Sequence, residues 1–558
     1  MPLEKIWLKH YAAKTPHEVN LAKYQNIHQV FSEAVAKYST LPAFSNFGVQ
    51  LTFAELNSKV EDLASFLQNE LQLQKGDRVA VQMPNLLQFP IITFAALKLG
   101  LVLVNTNPLY TAKEMKHQFK DSGAKAVFIL ANYAHLLQEV IKETSIESVI
   151  ITQIGDQFPA PKRIFVNAAV KYLKKMVPAY SLPQAYTFLQ ALQIGALNSA
   201  TPNTVEQEDI AFLQYTGGTT GVSKGAILTH KNIIANMLQI GSWMAPRLID
   251  GKEIAIAALP MYHIFSLTVN CLAFLSYGAH NILITNPRDI KAFIKELKQY
   301  PFTIMTGVNT LYNALMNHPD FQSIDFSSIK ISVAGAMALQ KSVSTRWHEL
   351  TNTPVVEGYG LTEASPVVCC NPIDGTDRVG TIGLPVPNTE IKLVNDELQE
   401  VSAGETGELC CKGPQVMQGY WQRPDETEKV LKDGWLYTGD IASVDKDGFF
   451  KIVDRKKDMI LVSGFNVYPN EVEDAIASHP DVLEVAAVGI ADEHSGESVK
   501  VFVVKKNPQV SESDIIEHAR KSLTGYKVPK AVEFRNELPK TNVGKILRRA
   551  LRETKTQS

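Results

Sequence analysis

Cysteine is scarce in this chain, and its placing excludes two architectures. Five cysteines stand in 558 residues, an odd number: Cys271, Cys369, Cys370, Cys410 and Cys411. The two adjacent pairs have neither the separation of a disulfide framework nor that of a metal site, so reduced cytosolic thiols are expected. An excess of charge of one sign is also lacking. With 55 Lys and Arg against 57 Asp and Glu, the formal net charge is −2, so no general pull towards nucleic acid exists and no nucleic-acid partner is expected. Any anionic ligand must be caught by a local site. Long hydrophobic runs are missing too. Residues 1–20 carry charges throughout and lack the continuous apolar core of a signal peptide. The most apolar long stretch, 266–284, is interrupted by Asn270, Tyr277, Gly278, His280 and Asn281, and reads as a core helix, a turn and a strand rather than a membrane span.

What is present is a chain too long for one core, with the 45% hydrophobic and 20% charged content of a globular protein, so at least two domains are expected. Thr52 with Glu55 predicts a capped helix, and Leu56, Val60, Leu63 and Leu67 follow at helical spacing. Strand, helix and strand then alternate through 77–81, 86–99, 101–104, 113–122 and 125–130, and the pattern resumes at 253–259, 302–305 and 330–334. Such alternation predicts parallel sheets covered on both faces. From about residue 380 the texture changes to short strands with Gly and Pro, predicting a small β-rich sub-domain over 380–454. A charge cluster at 453–458 marks a boundary between an N-terminal domain, 1–454, and a small α+β domain, 455–558.

One further segment breaks the alternation. Residues 161–183 hold Lys162, Arg163, Lys171, Lys174 and Lys175, no acidic residue, and Ile164, Phe165, Val166, Val170, Tyr172, Leu173 and Met176 among them. Two readings stand: a solvated amphipathic helix, or a helix lying on an anionic membrane surface.

The stretch 215–225 reads Tyr-Thr-Gly-Gly-Thr-Thr-Gly-Val-Ser-Lys-Gly. Gly217, Gly218 and Gly221 permit close backbone approach to an anion, Thr216, Thr219 and Thr220 offer hydroxyls, and Lys224 adds a positive charge. Since Lys224 stands between Ser223 and Gly225, it is not a Walker A loop. A plain Gly/Thr turn is the competing reading, and the apolar run 210–213 before it favours a strand that feeds a phosphate cradle.

Four other stretches carry chemistry. Glu357-Gly358-Tyr359-Gly360-Leu361-Thr362-Glu363 offers an aromatic face for a base and a carboxylate for Mg²⁺, or only a strand-to-helix turn. Tyr437-Thr438-Gly439-Asp440 ends in a carboxylate suited to ribose hydroxyls, though Asp440 serves equally as a cap. His263, after an apolar strand, stands either at a ligand site or as a structural residue. Lys545 lies between Gly544 and an apolar pair in a basic tail.

In this order, the cradle, the 357–363 stretch, 437–440, Asp454-Arg455-Lys456-Lys457-Asp458 and Gly544-Lys545 resemble the core motifs of the adenylate-forming (ANL) superfamily, over almost the whole chain. Residues 433–457 resemble the fatty acyl-CoA synthetase signature, and the chain is similar to bacterial long-chain fatty acid CoA ligases. The resemblance implies the ANL fold: a large N-terminal domain of α/β sub-domains with a β-rich sub-domain, then a small mobile C-terminal domain. It implies that a fatty acid is activated by ATP through an acyl-adenylate and passed to CoA, with Mg²⁺ as cofactor. Lys545, His263, Thr216 and Glu363 would be catalytic, Thr216 and Glu363 also holding the metal. Thr216, Gly217, Gly218, Thr219, Thr220, Gly221 and Lys224 would bind phosphates, while Gly358, Tyr359, Gly360, Thr362, Asp440 and Arg455 would line the adenine and ribose site. Lys457 would be the hinge, and Gly464 would reach the CoA channel after domain rotation. A long-chain fatty acid, ATP and CoA are the implied partners. A cytoplasmic enzyme with peripheral contact to the cytoplasmic face of the inner membrane is expected, and a homodimer is left open. Leu267 stands near the position where a long-chain relative carries a gating Trp.

Overall fold

The computed structural model describes residues 5–201, 203–216, 222–492, 494–541 and 544–552. Local signals set many of its elements. The hydroxyl of Thr52 accepts from the Glu55 amide at 3.2 Å, and the Glu55 carboxylate accepts from the Thr52 amide at 2.8 Å. This reciprocal cap starts the helix Phe53–Ser65, whose Leu56, Val60 and Leu63 fall on one buried face. Thr111 and Glu114 repeat the device on the helix Ala112–Ser122. The 266–284 stretch forms the expected core helix, turn and strand, the strand being His280–Leu283.

The alternation closes into two large sheets. In the seven-stranded sheet the spatial order is Tyr186–Thr187, Ser148–Thr152, Ala126–Leu130, Arg78–Gln82, Val102–Thr106, Ile210–Thr216 and Lys224–Thr229. All neighbours are parallel except the last pair, a hairpin whose two strands flank the 217–221 stretch. The nine-stranded sheet runs Leu384–Pro385, Val367–Cys370, Val355–Gly360, Ile331–Ala334, Ile304–Gly307, Ile254–Ala257, His280–Leu283, Pro42–Asn46 and Val49–Thr52. It is parallel in its middle and antiparallel at both ends. Its central strands are buried at consecutive positions, as strands covered on both faces must be.

A five-stranded antiparallel sheet follows, built from Glu390–Val394, Thr406–Lys412, Leu431–Lys432, Trp435–Val444 and Phe450–Arg455. The next strand, Ile460–Val462, belongs to a separate sheet with Phe465–Val467, Val482–Asp492, Gly496–Lys505 and Ala531–Phe534. The cores divide at the same place. One cluster reaches from Trp7 to Phe450, and another, of valines and isoleucines between Ile460 and Val532, fills the C-terminal domain. Among the contacts that join the domains, Thr310 Oγ1 donates to the Gly544 carbonyl at 3.2 Å, and Asn313 Nδ2 to the Leu483 carbonyl at 3.1 Å.

Candidate active site

Parallel strands all end on one side of their sheet, and loops leaving those ends bound the crevice where α/β proteins bind ligands. Here both large sheets direct strand ends at a single cavity of about 1460 Å³. Asn105 at the end of one strand, Thr216 at the end of another, Tyr262 and His263 after a third, Gly335 after a fourth, and Gly358 to Glu363 at and beyond the end of a fifth all line it. The five-stranded sheet adds Asp440 and Arg455, and the C-terminal domain adds Lys545.

Asp440 lies within the strand Trp435–Val444 and caps nothing. Its partner across the antiparallel register is Arg455, whose Nε donates to Oδ1 at 2.9 Å. The Tyr359 hydroxyl donates to Oδ2 at 2.6 Å, joining the 357–363 stretch to the five-stranded sheet. Burial, with the Asp440 charge beside it, pushes the Tyr359 phenol well above its usual range, so it stays a donor. Gly360 admits no side chain, because a Cβ there would stand 2.1 Å from the Pro366 carbonyl oxygen. Thr362 and Glu363 follow in a short 3₁₀ turn on the same wall.

Lys545 enters from the opposite side. Gly544 before it has φ +84°, and a Cβ would come within 2.9 Å of Thr310 Oγ1, so glycine is required for the tail to cross this wall. Desolvation, reinforced by the nearby Arg455 and Arg548 charges and opposed by Asp440 and Asp458, lowers the Lys545 ammonium to about 8. His263 sits close enough to feel that charge. Burial first and Lys545 second bring it down to about 4, so the imidazole is neutral at pH 7. Its Nδ1 accepts from the Phe265 amide at 3.4 Å.

The described part of the 215–225 stretch places Thr216 and Lys224 on the cavity wall. Gly217, Gly218, Thr219, Thr220 and Gly221 lie outside the described residues. Lys224 Nζ donates to Glu426 Oε2 at 2.7 Å and stands 4.5 Å from the centre of the Tyr420 ring. The Tyr420 hydroxyl in turn donates to Glu363 Oε1 at 2.7 Å. One tyrosine therefore links the cation of the cradle to the carboxylate of the 357–363 stretch. Sequence reasoning missed Tyr420 and Glu426, which lie some two hundred residues beyond Lys224.

Two predicted residues have other surroundings. Lys457 lies in the turn between the last strand of the five-stranded sheet and the first of the C-terminal sheet, and it reaches the cavity wall. Lys456 beside it pairs with Asp396 at 2.8 Å, and Arg548 joins Asp454 at 3.2 Å to Glu473 at 2.7 Å, so ion pairs flank the turn on both sides. Gly464 sits at the exposed tip of the hairpin Ile460–Val462 to Phe465–Val467 and is not part of the cavity wall in this arrangement.

The cavity also has an apolar part that the motifs did not mark. Ile240, Trp243 and Met244 on the helix His230–Met244 face Val367, Cys370 and Val386 across it. Phe265 lines it, whereas Leu267, Val308 and Leu311 are buried elsewhere. Every face of that helix is buried, so periodicity does not tell its cavity side from its core side.

Comparison with known proteins matches residues 31–421 to the AMP-binding enzyme family and residues 471–545 to the AMP-binding enzyme C-terminal domain. The chain is 55% identical to a long-chain-fatty-acid–CoA ligase of Salmonella typhimurium over 99% of its own length and 98% of the relative's. It is 52% identical to the long-chain-fatty-acid–CoA ligase of Haemophilus influenzae, again over 99% and 98%. Among solved structures, the anthranilate CoA ligase AuaEII in complex with anthranoyl-AMP superposes with a TM-score of 0.85 at 24% identity, covering 96% of this chain and 98% of that one.

Proposed function

Since this chain belongs to the AMP-binding enzyme family, we propose that it is a long-chain-fatty-acid–CoA ligase working through an acyl-adenylate. The observation that carries the reading is the entry of Lys545, from the C-terminal domain, into the cavity that holds Tyr359, Asp440, Thr216 and Glu363. A lysine carried by a separate domain can be withdrawn between steps, which suits a reaction in two halves.

In the first half a fatty acid carboxylate oxygen bonds to the α-phosphorus of ATP, and the bond from that phosphorus to the bridging oxygen breaks, releasing pyrophosphate. A carboxylic acid is ionised at pH 7, so no base is needed and catalysis consists of alignment and charge stabilisation. Asp440 holds the ribose hydroxyls, Gly358 to Gly360 and Thr362 bound the adenine, and Thr216 and Lys224 meet the phosphates. Arg455 orients Asp440 and adds positive charge. The Lys545 ammonium bridges the carboxylate and the α-phosphate oxygens, where negative charge accumulates. Glu363 and Thr216, one carboxylate and one hydroxyl on the cavity wall, would hold an Mg²⁺ ion, which would neutralise phosphate charge when bound.

In the second half the CoA sulfur bonds to the acyl carbon, the acyl–phosphate oxygen bond breaks, AMP leaves and the thiol proton passes to solvent. Lys545 has no task there. Turning the C-terminal domain about Lys457 withdraws it and exchanges it for the Gly464 hairpin at the CoA entrance. His263, neutral at pH 7, orders the acyl carbonyl. The apolar wall of Ile240, Trp243, Met244 and Val386 takes the alkyl chain. Peripheral contact with the cytoplasmic face of the inner membrane belongs to the same reading, because the substrate dissolves in bilayers.

A carboxylic acid panel graded by chain length tests the proposal, with pyrophosphate release and CoA thioester both measured. Long alkyl acids are expected to yield both products in equal amounts; preference for aryl acids, or adenylation without thioester on free CoA, would overturn it. The metal assignment has its own test. Glu363→Gln raises the Mg²⁺ concentration needed for half-maximal adenylation by about tenfold, as expected for loss of the one protein carboxylate on the ion. An unchanged Mg²⁺ titration would remove Glu363 from the metal site.

A further inference from the structure

The helix Ala160–Ala168, with the wider turn Ala169–Leu173 that continues it, is attached to the body inside out. Surface helices of globular proteins turn their apolar stripe to the core and their polar face to water. Here the hydrogen bonds of the attachment run through Asn167, with Val166 and Val170 only half-buried beside it. Asn167 Oδ1 accepts from the Gly155 amide at 2.8 Å, and its Nδ2 donates to Asp156 Oδ1 at 3.2 Å. No residue of the helix or its continuation is buried, and none joins a hydrophobic core cluster. The large apolar side chains point outward instead: Ile164 is 67% exposed, Phe165 73%, Tyr172 70%, Leu173 81% and Met176 50%. Phe47 adds to the patch, its carbonyl accepting from Lys162 Nζ at 2.5 Å.

Left in water, such a patch is costly and invites association. Its charge selects what covers it. Residues 161–183 carry five basic side chains and no acidic one. A second copy seated on this face by two-fold symmetry would set these cations against themselves. An anionic lipid surface satisfies both features: the apolar side chains enter the boundary between headgroups and acyl chains, and the lysines meet lipid phosphates. No helix among the described residues is long and apolar enough to cross a membrane, so contact through this face is contact from one side.

We propose that residues 160–176 are a membrane-docking surface, with Ile164, Phe165, Tyr172, Leu173 and Met176 inserting into an anionic bilayer and Lys162, Lys171, Lys174 and Lys175 holding its headgroups. It gives a location to the peripheral contact of the preceding section and rests on that contact. All of these side chains lie away from the cavity that holds Lys545.

Co-sedimentation of the full-length protein with vesicles of phosphatidylcholine, with and without phosphatidylglycerol, tests it. Wild type is expected to bind the anionic vesicles, less tightly as salt rises. The variant I164S/F165S/Y172S/L173S is expected to bind about tenfold or more weakly, given the apolar area withdrawn from the lipid, with thermal midpoint and ligase turnover on a short, soluble acid unchanged. K171Q/K174Q/K175Q is expected to lose the preference for anionic vesicles. Leu173→Trp supplies a direct reading, since the fluorescence of the introduced indole shifts to the blue on anionic vesicles if that position inserts. Wild-type binding that survives the fourfold serine variant, or an emission of the Leu173→Trp variant that does not move, would overturn this surface while leaving peripheral contact standing. Wild type that ignores vesicles would overturn both, with the catalytic assignment untouched. A serine variant that changes oligomeric state rather than vesicle binding would assign the patch to a second copy.

Discussion

Lys545→Ala is expected to reduce pyrophosphate release by about three orders of magnitude while leaving conversion of supplied acyl-AMP to acyl-CoA within a few-fold of wild type. The size follows from removing a preorganised charge from the place where charge develops, which costs about 10²–10³ in rate for a neutral donor and more for a cation. The asymmetry follows from the proposed two-step cycle, in which the domain carrying Lys545 turns away before thioester formation. Equal losses in both halves would show that the lysine supports the cavity as a whole. Acidity provides a second reading. With the ammonium lowered to about 8 by desolvation and neighbouring arginines, its charge is present below that pH and lost above it. The kcat/KM for pyrophosphate release is therefore expected to fall from about pH 8 upward, well below the ordinary lysine range. Bound ATP, by adding anionic charge, moves the corresponding limb of kcat to higher pH. Lys545→Arg is expected to lose rate and also to lose this alkaline limb, since guanidinium stays charged.

Asp440→Ala is expected to lower kcat/KM for ATP by about 10²–10³. Two ribose hydroxyls donating to a carboxylate contribute about 1.5–3 kcal/mol each, and one or both bonds vanish. A second loss is electrostatic. Asp440 is the partner of Arg455 at 2.9 Å, and its charge supports the Lys545 ammonium against desolvation. Removing it leaves two cations facing each other, so the alkaline limb moves to lower pH in the same variant. Asp440→Asn keeps the shape and loses the charge; it is expected to fall between wild type and alanine in ATP affinity while showing most of the pH shift. An Asp440 variant with unchanged ATP KM would separate this carboxylate from the nucleotide.

The parts of the fold that were legible in the sequence are those governed by local rules. Alternating strands and helices, the Thr52–Glu55 cap and the shift to short strands near residue 380 each follow from preferences that act within a few residues. That Asp440, Glu363 and Lys545 share one cavity was anticipated for another reason: each sits in a short run whose order along the chain is itself distinctive. The linkage of Lys224 through Tyr420 to Glu363 was not legible, because it joins residues two hundred positions apart by contacts that leave no periodic trace. Nor was the apolar wall on the helix His230–Met244, whose buried faces all look alike in sequence.

The 161–183 segment divides the two sources of information most sharply. Composition alone established that basic and apolar residues are interleaved there without any acid, and it left a solvated amphipathic helix and a membrane-surface helix both open. The tertiary structure added which side chains face water, because Asn167 is held by Gly155 and Asp156 while Ile164, Phe165, Tyr172 and Leu173 are exposed. The same holds for the active site. The sequence by itself determined the candidate groups and the two-domain plan, since side-chain chemistry and hydrophobic periodicity are local properties. The tertiary structure decided that Lys545 stands in the cavity with Asp440 and Arg455 while Gly464 stands outside it, since which face of the C-terminal domain meets the cavity depends on contacts between residues far apart in the chain, which no local pattern encodes.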